Sequence, residues 1–263
     1  MLTTSTLIAM ILYLAAAFIQ WRKLNGLSKA PSLIIKLLAA LGMLFHTFSV
    51  YSVLHQPDGI NLGFFIAGSF VGWLVTAVVL FSSFRQPIEN IFIGILPMVA
   101  VTAGLSVWGP HLGIAKFYAG GLIIHILLSI LAYSIFTVAT FQAFLLSKQH
   151  TALKQHATRG LVASLPPIQT METLLFEMIW VGMILLTTAL ASGFIFVDNL
   201  FAQHLIHKTL LSLLAWALYA VLLWGRTVLG WRSQKAVRWT VSGFVVLMLG
   251  FFGSKLVLDL MGN

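Results

Sequence analysis

The chain has 263 residues, of which 60% are hydrophobic and only 8% are charged. Soluble domains carry about 25% charged residues, so this composition excludes a soluble globular protein and indicates an integral membrane protein with short loops. The formal net charge is +9, but the basic residues are scattered over several loops, which argues against nucleic acid as a partner. The chain has no cysteine, which excludes disulfides, thiolate metal sites, iron–sulfur clusters and covalent attachment of a c-type haem to this chain.

The apolar residues are grouped into stretches long enough to cross a bilayer, which takes about 20 residues of helix. Eight such stretches lie at about 3–21, 32–53, 61–84, 90–108, 118–145, 171–196, 206–229 and 237–259. The sequence therefore predicts an all-α fold, a polytopic membrane bundle of about eight transmembrane helices that forms a single integral-membrane domain over 1–263. We expect a multi-pass protein of a bacterial inner (cytoplasmic) membrane, with the lipid bilayer as its surroundings.

The basic residues predict the orientation of these helices, because cytoplasmic loops carry an excess of lysine and arginine. Most of them lie in or beside the loops that follow predicted helices 1, 3, 5 and 7, and the opposite side holds only Lys116, Lys208 and Lys255. Both termini are therefore predicted to lie outside, on the periplasmic side. The longest predicted loop, 146–170, is basic and is predicted to be a cytoplasmic hinge between two groups of helices.

Histidine is the main residue through which a chain without cysteine can hold a metal or a haem iron. Two histidines lie deep within predicted spans: His46 in helix 2 and His125 in helix 5, each seven residues from the predicted outer end of its helix. That position is about 10 Å deep at 1.5 Å per residue. An ionisable side chain inside a span is costly unless something binds it. Two neutral imidazoles at matching depth suit the two axial positions of one haem iron.

The local context of these two histidines leaves two interpretations open. Gly42 and Gly121 precede them by one turn, and a missing side chain there would let a flat macrocycle approach the backbone. On the face of His125, Ser129 and Tyr133 could hold its other ring nitrogen or a haem propionate, or only each other. In the alternative interpretation, each histidine only hydrogen-bonds across helices, as histidine, serine and threonine do in membranes.

Two more histidines, His204 and His207, lie three residues apart at the entry to predicted helix 7. This spacing puts both on one face if the helix starts early. They could bind a metal or a haem lying at the outer surface, and the alternative is a polar rim at the membrane interface. The remaining histidines carry little weight as site candidates because they lie in predicted loops: His55, His111, His150 and His156.

A glutamate in predicted helix 6 and an arginine in predicted helix 7 could form a pair. Glu177 lies six residues into predicted helix 6, and Arg226 lies near the inner end of predicted helix 7. An opposite charge offsets the cost of placing a charged side chain in a span. Glu177 and Arg226 could therefore form an interhelical ion pair.

Several segments resemble one known family. They are HILLSILAYSIF at 125–136, LASGFIF at 190–196, HKTLLSLLAWALYAVLLWGR at 207–226 and GFFGSK at 250–255. These segments are similar to the cytochrome c assembly protein family, the polytopic haem-handling proteins of the CcsA and CcmC type, and most similar to an eight-helix branch of it. The resemblance implies non-covalent binding of haem b and a role in presenting haem for cytochrome c maturation. Its H-x-x-x-S-x-x-x-Y pattern, in which the histidine is an axial haem ligand, matches His125, Ser129 and Tyr133.

The sequence also departs from the family pattern. The tryptophan-rich outer loop that cradles haem in the assembly proteins corresponds here to VDNLFAQHLIHKT, which has no tryptophan, and Trp224 replaces a second family histidine. These departures weaken the expectation of haem delivery to an apocytochrome, while haem binding remains the expectation. The second axial ligand is then His46, His207 or His204, and its depth favours His46.

The sequence supports three functional hypotheses. The first is a haem-binding accessory in haem handling or cytochrome c biogenesis, with cytochrome c maturation proteins or other membrane proteins as partners. The second is a small-molecule or ion transporter or channel, for which Pro97 and Gly104 in helix 4 are the only sign of a broken helix. The third is a membrane adaptor that kept the scaffold and lost haem. We do not expect an enzyme, because the sequence has no nucleophile–base constellation and no phosphate-binding loop.

Overall fold

A computed structural model describes residues 1–110, 113–155, 165–196, 203–253 and 256, with the backbone alone at 203–205. This part of the chain contains eight helices long and apolar enough to cross a membrane, which confirms the predicted all-α membrane fold. The helices are α1 (Leu2–Leu24), α2 (Ser32–Leu54), α3 (Phe64–Arg85), α4 (Phe92–Trp108), α5 (Gly120–Lys154), α6 (Ile168–Phe196), α7 (Gln203–Val228) and α8 (Gln234–Met248). A 3₁₀ turn (Glu89–Ile91) precedes α4, and a π-helical turn (Leu249–Gly253) follows α8. The orientation of the termini stays a prediction.

Helix α5 is longer than the sequence predicted. It runs for 35 residues to Lys154, whereas hydropathy placed its end at 145, so the predicted start of the long loop at 146 was wrong. The added segment, SKQHTALK at 147–154, contains good helix formers and neither glycine nor proline. Hydropathy measures the apolar length of a span, and the helix continues past that length because its backbone propensity does not depend on lipid.

A short hairpin between α2 and α3 was not predicted. Strands β1 (His55–Gln56) and β2 (Gly59–Ile60) pair antiparallel, and Gly59 has a positive φ of 121° that suits the tight turn. Ile60 N–H donates to the Lys116 carbonyl at 3.0 Å, and Lys116 N–H donates back at 3.1 Å. The hairpin therefore ties the α2–α3 connection to the segment that precedes α5.

The chain divides into two compact units. The N-terminal unit comprises Met1–Lys116 with Thr151–Pro167 and contains α1 to α4; the C-terminal unit comprises Phe117–His150 with Ile168–Asn263 and contains α6 to α8 and most of α5. The sequence placed the division between helix groups in the 146–170 loop, after helix 5, and that grouping was wrong. Aromatic packing joins α5 to the helices that follow it, since Phe136 stacks on Tyr219 of α7 with 3.9 Å between ring centroids.

The N-terminal unit is packed through small and polar side chains. The buried face of α1 consists of Ser5, Thr6, Ala9, Tyr13, Ala16, Ala17 and Gln20. In α3, a Cβ added at Gly72 would lie 2.9 Å from Thr102 Oγ1 of α4, so glycine is what lets these two helices approach so closely. Lys36 forms an ion pair with Glu89 at 3.0 Å. Helices α1 to α4 therefore pack with much of their polar surface turned toward one another.

The C-terminal unit contains the ion pair of Arg226, but with a different partner from the predicted one. Arg226 Nη1 lies 3.9 Å from Glu172 Oε2, and the Glu172 carboxylate also accepts a hydrogen bond from Ser233 N–H at 2.8 Å. Glu177 is exposed, so the predicted Glu177–Arg226 pair was wrong. Five residues along an α-helix correspond to a rotation of about 140°, which separates the two glutamates onto different faces of α6.

Candidate functional site

His125 lies in the second turn of α5 and is partly buried against α6. Its Nδ1 is 2.8 Å from the backbone carbonyl oxygen of Ala189 and 3.3 Å from Ser192 Oγ. A carbonyl oxygen can only accept a hydrogen bond, so Nδ1 carries the proton and the neutral ring has its lone pair on Nε2. Nε2 makes no hydrogen bond to any residue in the described part of the chain. The ring is therefore held in the tautomer that can bind a metal through Nε2.

Ser129 and Tyr133 share a helix face with His125 but do not hold its ring. Ser129 Oγ donates to the backbone carbonyl of His125 at 2.8 Å, a common bond for serine within a helix. The Tyr133 ring is buried among three phenylalanine rings of α8 and the turn that follows it, with centroid distances of 5.2 to 5.6 Å. The partner of the other ring nitrogen thus comes from α6 and not from α5.

Two glycines near His125 have different roles. A Cβ added at Gly193 of α6 would lie 2.9 Å from His125 Cε1, so the ring rests directly against the backbone of α6. The space beside Gly121 is filled by the ring of Phe196. The prediction that Gly121 leaves room for a macrocycle was therefore wrong, because a side chain of the same unit occupies that room.

His46 belongs to the N-terminal unit and is completely buried there. Its Nδ1 lies 3.2 Å from the Tyr13 hydroxyl and its Nε2 lies 2.9 Å from Ser69 Oγ, so both ring nitrogens are hydrogen-bonded across helices. A Cβ added at Gly42 would lie 2.9 Å from two atoms of the Tyr13 ring. The predicted room for a macrocycle at Gly42 was wrong. These bonds are those of the alternative interpretation, and iron ligation by His46 would require one of them to break.

The start of α7 brings His204 and His207 into one helical turn. The helix begins at Gln203, which is early enough to put both residues on one face. His207 is exposed and has no protein partner among the described residues, while the side chain of His204 lies outside them. The next residue, Lys208, places Nζ 5.9 Å from the Phe251 ring, which in turn packs on Tyr133.

Of the other four histidines, two lie in the described part of the chain and two lie outside it. His55 is exposed in the hairpin and stacks on Tyr51. His150 lies within α5 and not in a solvated loop as predicted, and its Nδ1 is 2.9 Å from Ser233 Oγ. His111 and His156 lie outside the described residues. His55 Nδ1 also lies 3.3 Å from a carbonyl oxygen, that of Tyr51 one turn earlier in α2, whereas His125 Nδ1 is held by a carbonyl of a different helix.

Sequence reasoning missed Ala189, Ser192 and Gly193 as site residues. They are small and lie within one turn of α6, and small residues are the usual sites of close helix approach in membranes. That signal marks a close contact without naming the residue that fills it. Among the described residues no group of three or more histidine, aspartate or glutamate side chains could hold a bare metal ion.

Comparison with known proteins identifies relatives over most of the chain. Residues 34–261, which include His46, His125 and His207, match the family described as Cytochrome C assembly protein. The chain is 29% identical to the inner membrane protein YpjD of Escherichia coli (strain K12) over 225 residues, covering 84% of this chain and 85% of that protein. It is 25% identical to the protein HemX of Brevibacillus brevis over 134 residues, covering 50% of this chain and 49% of that protein. No solved structure matches the chain.

Proposed function

Because this chain belongs to the cytochrome c assembly protein family, we propose that it binds haem b non-covalently at His125 and acts as an accessory in haem handling or cytochrome c biogenesis. The eight candidate spans in the described part of the chain and the likeness to YpjD support a multi-pass inner membrane protein. The proposed partners are haem and proteins of cytochrome c maturation or other membrane proteins. The proposed role is binding and not catalysis by this chain.

One observation carries the proposal: the hydrogen bond between His125 Nδ1 and the Ala189 carbonyl. Histidines that bind a metal commonly donate their other N–H to a backbone carbonyl or a carboxylate, which fixes the ring orientation and raises the basicity of the ligating nitrogen. The 2.8 Å bond to Ala189 has that geometry and leaves Nε2 as the ligand atom.

The C-terminal unit also contains a cation and an aromatic ring of the kinds that can contact a haem. Haem supplies a redox-active iron whose properties depend on its axial ligands and on the hydrogen bonds of those ligands. The ammonium of Lys208 suits a propionate carboxylate, and the aromatic ring of Phe251 beside it offers apolar surface. For the second axial position, His207 is the better candidate because its exposed ring makes no bond to a described residue, whereas His46 already uses both nitrogens.

The visible absorption spectrum of the detergent-purified protein tests this proposal. We expect a Soret band when the protein is oxidised and sharp α and β bands after reduction with dithionite. His125→Ala should remove most of the bound haem, whereas His55→Ala, which changes an exposed histidine of the N-terminal unit, should retain it.

Equal haem occupancy in the two variants would exclude His125 as the ligand. A featureless spectrum that persists after growth with haem precursor and after reconstitution with haem would exclude haem binding and favour the adaptor. Substrate-dependent flux in proteoliposomes would favour the transporter.

A further inference from the structure

We infer that Gly193 and Ser192 of α6 are positioning residues for His125, and that they set the ring orientation and the tautomer on which its ligand strength depends. This inference rests on the proposed function, since it assigns the residues that prepare the same site. It concerns the side of the imidazole that faces away from the ligand. Ser192 lies 67 positions from His125 in sequence, with Gly193 directly after it, and only the packing of α5 on α6 brings them to the ring.

Gly193 sets how close the ring can come to α6. A Cβ at this position would lie 2.9 Å from Cε1, 3.2 Å from Nδ1 and 3.7 Å from Nε2 of His125. Real Cβ atoms essentially never approach a heavy atom to less than 3.0 Å, so a methyl group would push the ring away from the helix. Such a displacement would lengthen or break the 2.8 Å bond to the Ala189 carbonyl.

Ser192 helps to determine which nitrogen carries the proton. Its Oγ donates to the Ala189 carbonyl at 2.8 Å, so an Oγ lone pair is free to face His125 Nδ1 at 3.3 Å. Nδ1–H therefore meets two acceptors, the carbonyl oxygen and the hydroxyl oxygen. The opposite tautomer would set the Nδ1 lone pair against the carbonyl lone pairs, and it is disfavoured by that repulsion. The two acceptors therefore keep the proton on Nδ1, which leaves the lone pair on Nε2.

The same helix provides a matched control at Gly182. A Cβ added there would lie 2.7 Å from Cε1 of Phe136, which is also an aromatic ring of α5. Gly182→Ala and Gly193→Ala thus insert the same methyl group, on the same helix, against a ring of the same neighbouring helix. They differ in that one ring is an apolar phenylalanine and the other is the proposed ligand.

The test compares Gly193→Ala, Ser192→Ala and Gly182→Ala with the wild-type protein. Substitutions that disturb the hydrogen bond of a metal-bound histidine lower metal affinity by about 10- to 100-fold. We expect a loss of haem affinity in that range for Gly193→Ala, a smaller loss for Ser192→Ala, and for both a shifted reduction potential. Gly182→Ala should lower thermal stability while the affinity and potential of the remaining folded protein stay at wild-type values.

A second readout does not depend on haem. Diethyl pyrocarbonate modifies neutral imidazole nitrogens, and mass spectrometry of the haem-free protein gives the rate at His125 relative to His55. We expect Gly193→Ala and Ser192→Ala to change this ratio and Gly182→Ala to leave it unchanged.

Wild-type affinity, potential and modification ratio in both Gly193→Ala and Ser192→Ala would overturn the inference. A wild-type protein that binds no haem would overturn the proposed function instead, and the modification ratio would still test the positioning of the ring. If Gly193→Ala does not fold, the milder Ser192→Ala decides between these outcomes.

Discussion

His46 in the N-terminal unit and His125 in the C-terminal unit stand in similar sequence contexts, each in an apolar helix with a glycine one turn before it. Their partners differ in chemistry. His46 lies between two hydroxyl groups, those of Tyr13 and Ser69. His125 faces a backbone carbonyl on one side and makes no hydrogen bond to a described residue on the other.

The difference shows that the hydrogen-bond partners of a histidine decide whether its ring only joins helices or can also bind a metal. A hydroxyl can donate or accept, so two hydroxyl groups satisfy either tautomer of His46 and leave neither nitrogen available. A carbonyl only accepts, so it selects one tautomer of His125 and leaves the other nitrogen with a lone pair. Three predictions test this contrast at His46 and its neighbours. There we expect substitutions to change the stability of the protein and to leave haem binding unchanged.

The largest effect is expected from His46→Ala. The change leaves a cavity and removes a partner from both Tyr13 and Ser69, which should cost about 2–4 kcal/mol of unfolding free energy. Thermal unfolding in detergent measures this loss, and the haem content of the folded fraction should equal that of wild type. If the variant lost its haem bands while its stability stayed unchanged, His46 would be an axial ligand and the contrast between the two histidines would fail.

A smaller effect is expected from Gly42→Ala. The added methyl group would lie 2.9 Å from two atoms of the Tyr13 ring, and overpacking of this kind costs about 1–3 kcal/mol. Gly120→Ala is the control, because a Cβ there meets nothing within 4 Å. Thermal unfolding of Gly42→Ala and Gly120→Ala under the same conditions gives the difference between their midpoints. Similar midpoints for both would mean that Tyr13 does not need the space beside Gly42.

The smallest effect is expected from Ser69→Ala. It removes one interhelical hydrogen bond from His46, and such bonds contribute about 0.6 kcal/mol on average in a membrane protein. Ser106→Ala, in the same unit, removes a buried hydroxyl whose one bond among the described residues is to the carbonyl of Ala103 in its own helix. A matched pair of unfolding curves should show the larger loss for Ser69→Ala. The reverse order would imply that the Ser69 bond contributes nothing beyond burial.

Sequence reasoning predicted the spans well and the contacts between them poorly. The eight helices were found because apolar length is a property of each segment alone. The end of α5 was misplaced because helix propensity continued after hydropathy stopped. The partner of Arg226 was misassigned because both Glu172 and Glu177 lie in the same helix, and only the rotation of α6 against α7 distinguishes them.

The candidate site was predicted in the same uneven way. His125 was selected by its depth and by its family pattern, both readable along one helix. Its supporting residues on α6 were not selected, because periodicity ranks the faces of one helix without showing what another helix presents to them. The glycines were misinterpreted for the same reason, since Tyr13 and Phe196 fill the spaces beside Gly42 and Gly121.

The sequence by itself determined that this protein is a multi-pass, all-α membrane protein of the cytochrome c assembly family, because hydropathy and family motifs are written along the chain. Only the tertiary structure decided that both ring nitrogens of His46 are bonded, whereas Nε2 of His125 has no hydrogen-bond partner in the described part of the chain. A hydrogen bond depends on atoms that lie within about 3 Å of each other. For His125 those atoms come from a helix 64 residues away, and for His46 from helices on either side of its own.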